Sequence, residues 1–207
     1  ATGIAKLGFS EAFLSGDPGA KGKAIQIFTG QGSVQQGHTF AEAVGAMCHE
    51  YGHVLGLPDL YNTDFLAQGG GTAADGAGVG AWCLMGWGAS GWNGNDGPNS
   101  FCAWSRMQLG WAQVEEIYQA RQEARLGEVG QTGAVYKIPV DVREYFLLEH
   151  RTRAGSFYDR RLPGEGLLIW HITAQGVVDL ECADGRWREA GYPQGQTANA
   201  QTGGDNL

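Results

Sequence analysis

The spacing of apolar and polar positions separates a first part organised around one long helix from a remainder made of short strands. Phe40, Val44, Met47, Tyr51 and Leu55 recur at helical spacing, which predicts an amphipathic helix ending near Leu55 with this stripe buried. Thr39 is placed to cap it, and Glu42 three residues later completes a capping box. The opposite stripe carries Gly45, Ala46, His49 and His53. Small residues one turn before the histidines predict open space for a substrate. Upstream, an apolar pattern in residues 1–20 ends at the turn cluster Gly16-Asp17-Pro18-Gly19, and Ala24 to Phe28 reads as a strand. A second helix is expected with Asn99 or Ser100 as its cap, Phe101, Trp104 and Met107 or Gln108 on successive turns, and Gly110 at its end.

From Val114 onward the pattern changes to short apolar runs. They are Val135 to Val140, Glu144 to Glu149, Gly166 to Ile172 and Val177 to Cys182, each bounded by Gly, Pro or charged residues. The expected class is α+β, with residues 1–113 forming one region and 114–207 a β-rich segment packed on it. No internal repeat is visible.

Composition narrows the partners more than the fold. Lys plus Arg is 14 and Asp plus Glu is 22, a net charge of −8. That balance argues against nucleic acid or an anionic membrane, both of which reward basic patches. With 43% hydrophobic residues, a core is affordable. Thirty-five glycines and only 17% charged residues describe a loop-rich chain. No apolar run is long enough for a membrane span. The sequence opens on Ala1-Thr2-Gly3 without Met, read as a chain whose true beginning is missing.

The chemistry concentrates in His49-Glu50-Tyr51-Gly52-His53-Val54-Leu55-Gly56-Leu57-Pro58-Asp59. Residues four apart share a helix face, so His49 and His53 can address one metal ion. Glu50 is rotated by about 100° from His49, beside that ion, where a general base belongs. Gly56 can take the left-handed conformation that ends a helix and Pro58 cannot continue one, so the chain can turn and present Asp59 as a third ligand. Three protein ligands with one open position describe a catalytic zinc. Farther on, Met85 lies in a glycine-flanked turn, suited to an apolar floor below the metal.

Other candidates carry less. His38, at a loop edge, reads as solvated. Cys48, Cys83, Cys102 and Cys182 contain no Cys-x-x-Cys pair, which argues against a cysteine zinc site. They allow three full pairings; Cys83 with Cys102 would staple the region after the metal helix, and free buried thiols are the alternative. Glu149, His150, Arg151 and His171 stand at or near the ends of apolar runs, where charged groups normally face water. Asp179, Glu181 and Asp184 could offer carboxylates to calcium, but their spacing reads better as a solvated turn.

Five blocks in order resemble the immune inhibitor A family of secreted bacterial zinc peptidases, a metzincin-like branch of the zincins: His49 to Tyr61, Cys83 to Trp92, Pro98 to Trp111, Glu144 to Arg151, and Leu162 to Ile172. The resemblance implies a zincin catalytic domain with a central metal-binding helix and a Met-turn at Met85. It further implies zinc on His49, His53 and Asp59, Glu50 as base, bound calcium in the catalytic region, secretion, and endopeptidase activity on protein or peptide substrates. Little chain precedes His49, so the N-terminal sheet of such a domain is expected to be incomplete here. Some relatives in the wider group place a Tyr donor two residues after the Met; Trp87 stands there, which leaves the oxyanion donor open. A binding or adhesion module without turnover is the competing expectation, and the intact Glu50 argues against it.

Overall fold

The computed structural model describes residues 39–61, 78–92, 97–119, 124–162 and 164–181, together with the backbone of four short strands. Those strands are β1 (Ala12–Leu14) and β2 (Ala24–Gln26), an antiparallel pair, and a second pair, β8 (Trp187–Glu189) and β9 (Tyr192–Pro193). The described strand Ala24–Gln26 falls within the run expected from Ala24 to Phe28, whose last two residues lie outside the described residues. His38, Cys182 and Asp184 lie outside the described residues.

Helix α1 (Phe40–Val54) starts and ends where its capping chemistry dictates. The Thr39 side chain accepts from the Glu42 N–H, and the Glu42 carboxylate accepts from the Thr39 N–H. Two orphan donors of the first turn are satisfied at once. After Leu55, Gly56 adopts φ 99°, and the Leu57 N–H returns to the Gly52 carbonyl at 3.0 Å.

The helix docks by the face opposite to the one its apolar stripe predicts. Phe40 is 79% and Tyr51 52% exposed, Met47 and Leu55 are exposed, and Val44 is half-buried. Ala43, Gly45, His49 and Gly52 are buried instead. The cause is close approach. A Cβ at Gly45 would stand 1.7 Å from the Ala89 carbonyl oxygen, and one at Gly52 2.4 Å from Met85 Sδ. Only a side-chain-free surface admits the 3₁₀ turn Trp87–Ser90 that packs there. Gly45 is therefore packing surface, not open space for substrate. Met47, Tyr51 and Leu55 line a cavity of about 860 Å³ together with Phe101, Trp111 and Tyr158.

The second helix, α2 (Ala103–Gln108), is capped by neither Asn99 nor Ser100; Cys102 holds that position without a side-chain bond. Asn99 donates to the Ala81 carbonyl at 2.6 Å, and the Ser100 N–H faces Asp159 at 3.4 Å. Both residues are spent on tying segments together. Gly110, at φ 71°, follows the helix as its composition predicts.

The β-rich remainder is a five-stranded sheet in the order β3 (Gln113–Glu116), β4 (Ala134–Pro139), β5 (Tyr145–Arg151), β6 (Gly166–Ile172), β7 (Val178–Leu180). β3 runs parallel to β4, and the short helix α3 (Val129–Thr132) lies between them in the chain. The remaining neighbours are antiparallel. The overall class is thus mixed α+β, as the patterning predicts. Leu147, Leu168, Trp170, Ile172, Val178 and Leu180 form one core cluster with Leu57, Leu60, Trp82, Met85 and Ala103, so the sheet and the region after α1 share an interior.

That interior also holds charge, against the expectation of solvated strand ends. Successive side chains on a strand alternate faces, and the alternation that buries Leu147 also buries Glu149 and Arg151, at 0% and 1% exposure. The Arg151 guanidinium donates to the carbonyls of Trp82 (2.8 Å) and Phe101 (2.9 Å) and pairs with Glu149 Oε1 (2.9 Å). Asp159 Oδ1 lies 3.8 Å away, and Trp170 Nε1 donates to Glu149 at 2.9 Å. Burial pushes the Glu149 carboxyl up, while Arg151 and Arg106 pull it back.

Candidate functional site

α1 and the turn after it bring His49, His53 and Asp59 together. His49 Nε2 lies 3.0 Å and His53 Nε2 3.4 Å from Asp59 Oδ1. The two rings meet edge to face with centroids 4.8 Å apart.

The other ring nitrogens decide what this cluster can do. His49 Nδ1 is 2.8 Å from the Leu84 carbonyl oxygen, and His53 Nδ1 is 2.8 Å from that of Leu57. A carbonyl only accepts, so each Nδ1 carries the ring proton and each Nε2 presents a lone pair. Three acceptors thus converge, all within 4.8 Å of one another, and no hydrogen bond can join them without an added proton. Two ligands at about 2.0–2.1 Å on a tetrahedral ion stand about 3.3 Å apart, close to the two separations from Asp59. The donor set fits a metal ion, and borderline nitrogen and oxygen ligands suit zinc. Among the described residues this is the one group of three or more such side chains that could hold a metal. Among the described residues Asp179 and Glu181 belong to no second group, so the expected calcium is not supported there.

Supporting contacts come from the turn beneath α1. Leu84 supplies the carbonyl that orients His49, and the Met85 carbonyl accepts from the Leu60 N–H at 2.9 Å. Met85 is fully buried, its sulfur lying under Gly52. Trp87 opens the 3₁₀ turn that follows. Glu50 is half-buried on α1 next to His49.

Tyr61 is the neighbour that sequence reasoning left without a role. Its ring lies 6.2 Å from that of His49, tilted by 30°. Burial first, then the charges of Asp59 and Glu50, push its pKa up to about 12. The sequence signal was its place two residues beyond Asp59. Nothing in the sequence marks the carbonyls of Leu57 and Leu84.

Glu149 and Arg151 form no part of this cluster. His171 lies on β6, with Nε2 2.9 Å from Glu144 and Nδ1 3.3 Å from Glu181. Cys83 and Cys102 are free thiols side by side: the Cys102 N–H points at Cys83 Sγ (3.3 Å), and both sulfurs approach Ser105 Oγ. Burial pushes both thiols up; at Cys83 bonds from Cys102 and Ser105 outweigh it and leave about 7, whereas Cys102 stays raised.

An α+β chain carrying this donor set on a His-Glu-x-x-His helix is built as a metallopeptidase. Residues 10–116 match the family described as immune inhibitor A peptidase M6, catalytic domain; that is more than half of the 207 residues, and the chain belongs to this family. No curated protein and no solved structure matches it.

Proposed function

We propose that the protein is a secreted bacterial zinc endopeptidase, with residues 1–113 carrying a metzincin-like catalytic region and 114–207 supporting it. The observation that carries this reading is the convergence of His49 Nε2, His53 Nε2 and Asp59 Oδ1 with both ring protons spent on backbone carbonyls, in a chain of a peptidase family. Zinc bound there would supply the Lewis acidity that polarises a peptide carbonyl and acidifies water. Glu50 takes the proton of the attacking water and delivers it to the leaving amine. His49 and His53 are held in the correct tautomer by Leu84 and Leu57. Met85 serves as the Met-turn, its sulfur filling the space that Gly52 leaves beneath the histidines.

Replacing Glu50 by Gln tests this assignment, since it keeps the size of the side chain and removes the base. The variant should retain zinc, measured by metal analysis after dialysis, and lose cleavage of casein by a factor of at least about 10². Cleavage at the wild-type rate would refute the role of Glu50.

A further inference from the structure

We propose that the cavity lined by α1 and α2 is a second ligand site, which takes a small amphiphile with an apolar body and a single carboxylate.

At about 860 Å³ the cavity falls within the range of small-molecule sites, roughly 300–1,000 Å³. It is separate from the metal centre. Met47, Tyr51 and Leu55 recur every four residues and form its wall along α1. His49 and His53 each stand two residues after a member of that stripe, about 200° round the helix. None of His49, Glu50, His53 and Asp59 lines the cavity. The stripe and Trp111, which faces the same space, are exposed. Apolar walls with a few fixed polar groups are how ligand sites are built.

Two polar side chains define what the apolar body must carry. Arg106, on α2, is the single charged residue of the lining among the described residues. It is half-buried, and its Nε is spent on the Phe101 carbonyl at 2.9 Å. The four remaining guanidinium N–H donors have no hydrogen-bond partner among the described residues. Glu149 feels the charge of Arg106 but is held by Arg151 and Trp170 and does not line the cavity. Ser100 also lines it, at 7% exposure. Its N–H faces Asp159 and its carbonyl accepts from Leu84, while its hydroxyl bonds no described residue. A polar group so buried costs free energy until a partner reaches it.

A ligand carboxylate answers both groups. It matches the planar fork of a guanidinium and keeps lone pairs for a hydroxyl. A cationic amphiphile is repelled by Arg106, and a neutral one leaves the fork unmatched. Charge therefore selects among ligands that the apolar walls would otherwise hold alike.

The experiment is calorimetric titration of the wild-type protein with dodecanoate, dodecanol and dodecyltrimethylammonium, each below its micelle concentration. Dodecanoate should fill one saturable site. Dodecanol should bind about 10–100-fold more weakly, the worth of a hydrogen bond to a charged group, and the cation more weakly still. Arg106→Gln should bring dodecanoate and dodecanol within about threefold of each other. Ser100→Ala removes a hydroxyl that bonds nothing described in the fold. It should weaken dodecanoate by about 2–10-fold and leave the melting temperature unchanged. Absence of saturable dodecanoate binding, or equal affinity of wild-type protein for dodecanoate and dodecanol, would overturn the proposal without any variant. So would a preference for dodecanoate that survives Arg106→Gln, because the carboxylate would then sit elsewhere, as on a metal at His49 and His53.

Discussion

The Leu60 N–H donates to the Met85 carbonyl at 2.9 Å. This bond joins the loop that presents Asp59 to the turn on which α1 rests, and Met85 meets the helix at the other end of its side chain, under Gly52. Backbone and sulfur of one residue thus support both halves of the donor set. That arrangement depends on how closely α1 approaches the turn, so glycines on its docking face should be unequal in their tolerance.

Gly45→Ala should cost about 3 kcal/mol, the upper end for overpacking, because the new Cβ meets the backbone oxygen of Ala89, which cannot rotate away. Gly52→Ala meets only Met85 Sδ and Cε, and gains roughly 1 kcal/mol of helix propensity in return. Its stability should stay within about 1 kcal/mol of wild type. Urea unfolding of the two variants compares them directly. Similar losses at both positions would contradict the packing described.

Arg151 is the cation of a fully buried cluster, and removing it strands Glu149 and Asp159. Arg151→Met should therefore destabilise by about 3–5 kcal/mol, the range for breaking a buried pair from one side. It also deprives the Trp82 carbonyl of the Arg151 donor and leaves the Phe101 carbonyl with Arg106 Nε alone. Denaturant unfolding would read this, and a loss below about 1 kcal/mol would show that the charges matter little.

Much of the candidate site was legible because it is local. The four-residue spacing of His49 and His53 on α1, the capping box at Thr39 and Glu42, and Gly56 at the helix end are short-range rules, and the structure follows them. The docking face of α1 was not legible. Hydrophobic spacing favoured Phe40, Met47 and Tyr51, yet glycine at 45 and 52 decided the contact through backbone proximity that no periodicity score registers. Glu149 and Arg151 were misplaced for a related reason. β6 carries apolar residues on both faces, with Leu167 and Ile169 exposed opposite Leu168 and Trp170, so the inward face could not be read from the neighbouring strand.

Cys83 and Cys102 should close into a disulfide when the reduced, unfolded chain is refolded in glutathione disulfide, passing two electrons to that oxidant and losing two thiol protons. Both sulfurs lie within 3.6 Å of Ser105 Oγ, so neither has far to move. Mass mapping of unreduced peptides would find the link, and unfolding should be harder by about 3 kcal/mol for a loop of this size. Full alkylation of both residues after such treatment would count against it.

Asp179 should make stability fall as pH rises from about 4 to about 6. It stands opposite His171 across the β6–β7 pair, and burial, then the Glu181 charge, raise its pKa from 3.8 to about 6, with His171 pulling the other way. Below the ordinary value both states hold the proton, and Asp179 costs the fold nothing. Between the two values the unfolded chain releases the proton first, so stability falls through that window, and above about pH 6 the loss is complete. A shift of this size corresponds to about 3 kcal/mol, and partial solvent screening reduces it to about 1 kcal/mol. Asp179→Asn removes the titrating group. Its urea midpoint should change less than that of the wild type between pH 4 and 6 and lie higher at pH 7. Parallel midpoint curves for the two proteins would show that another group titrates in this window.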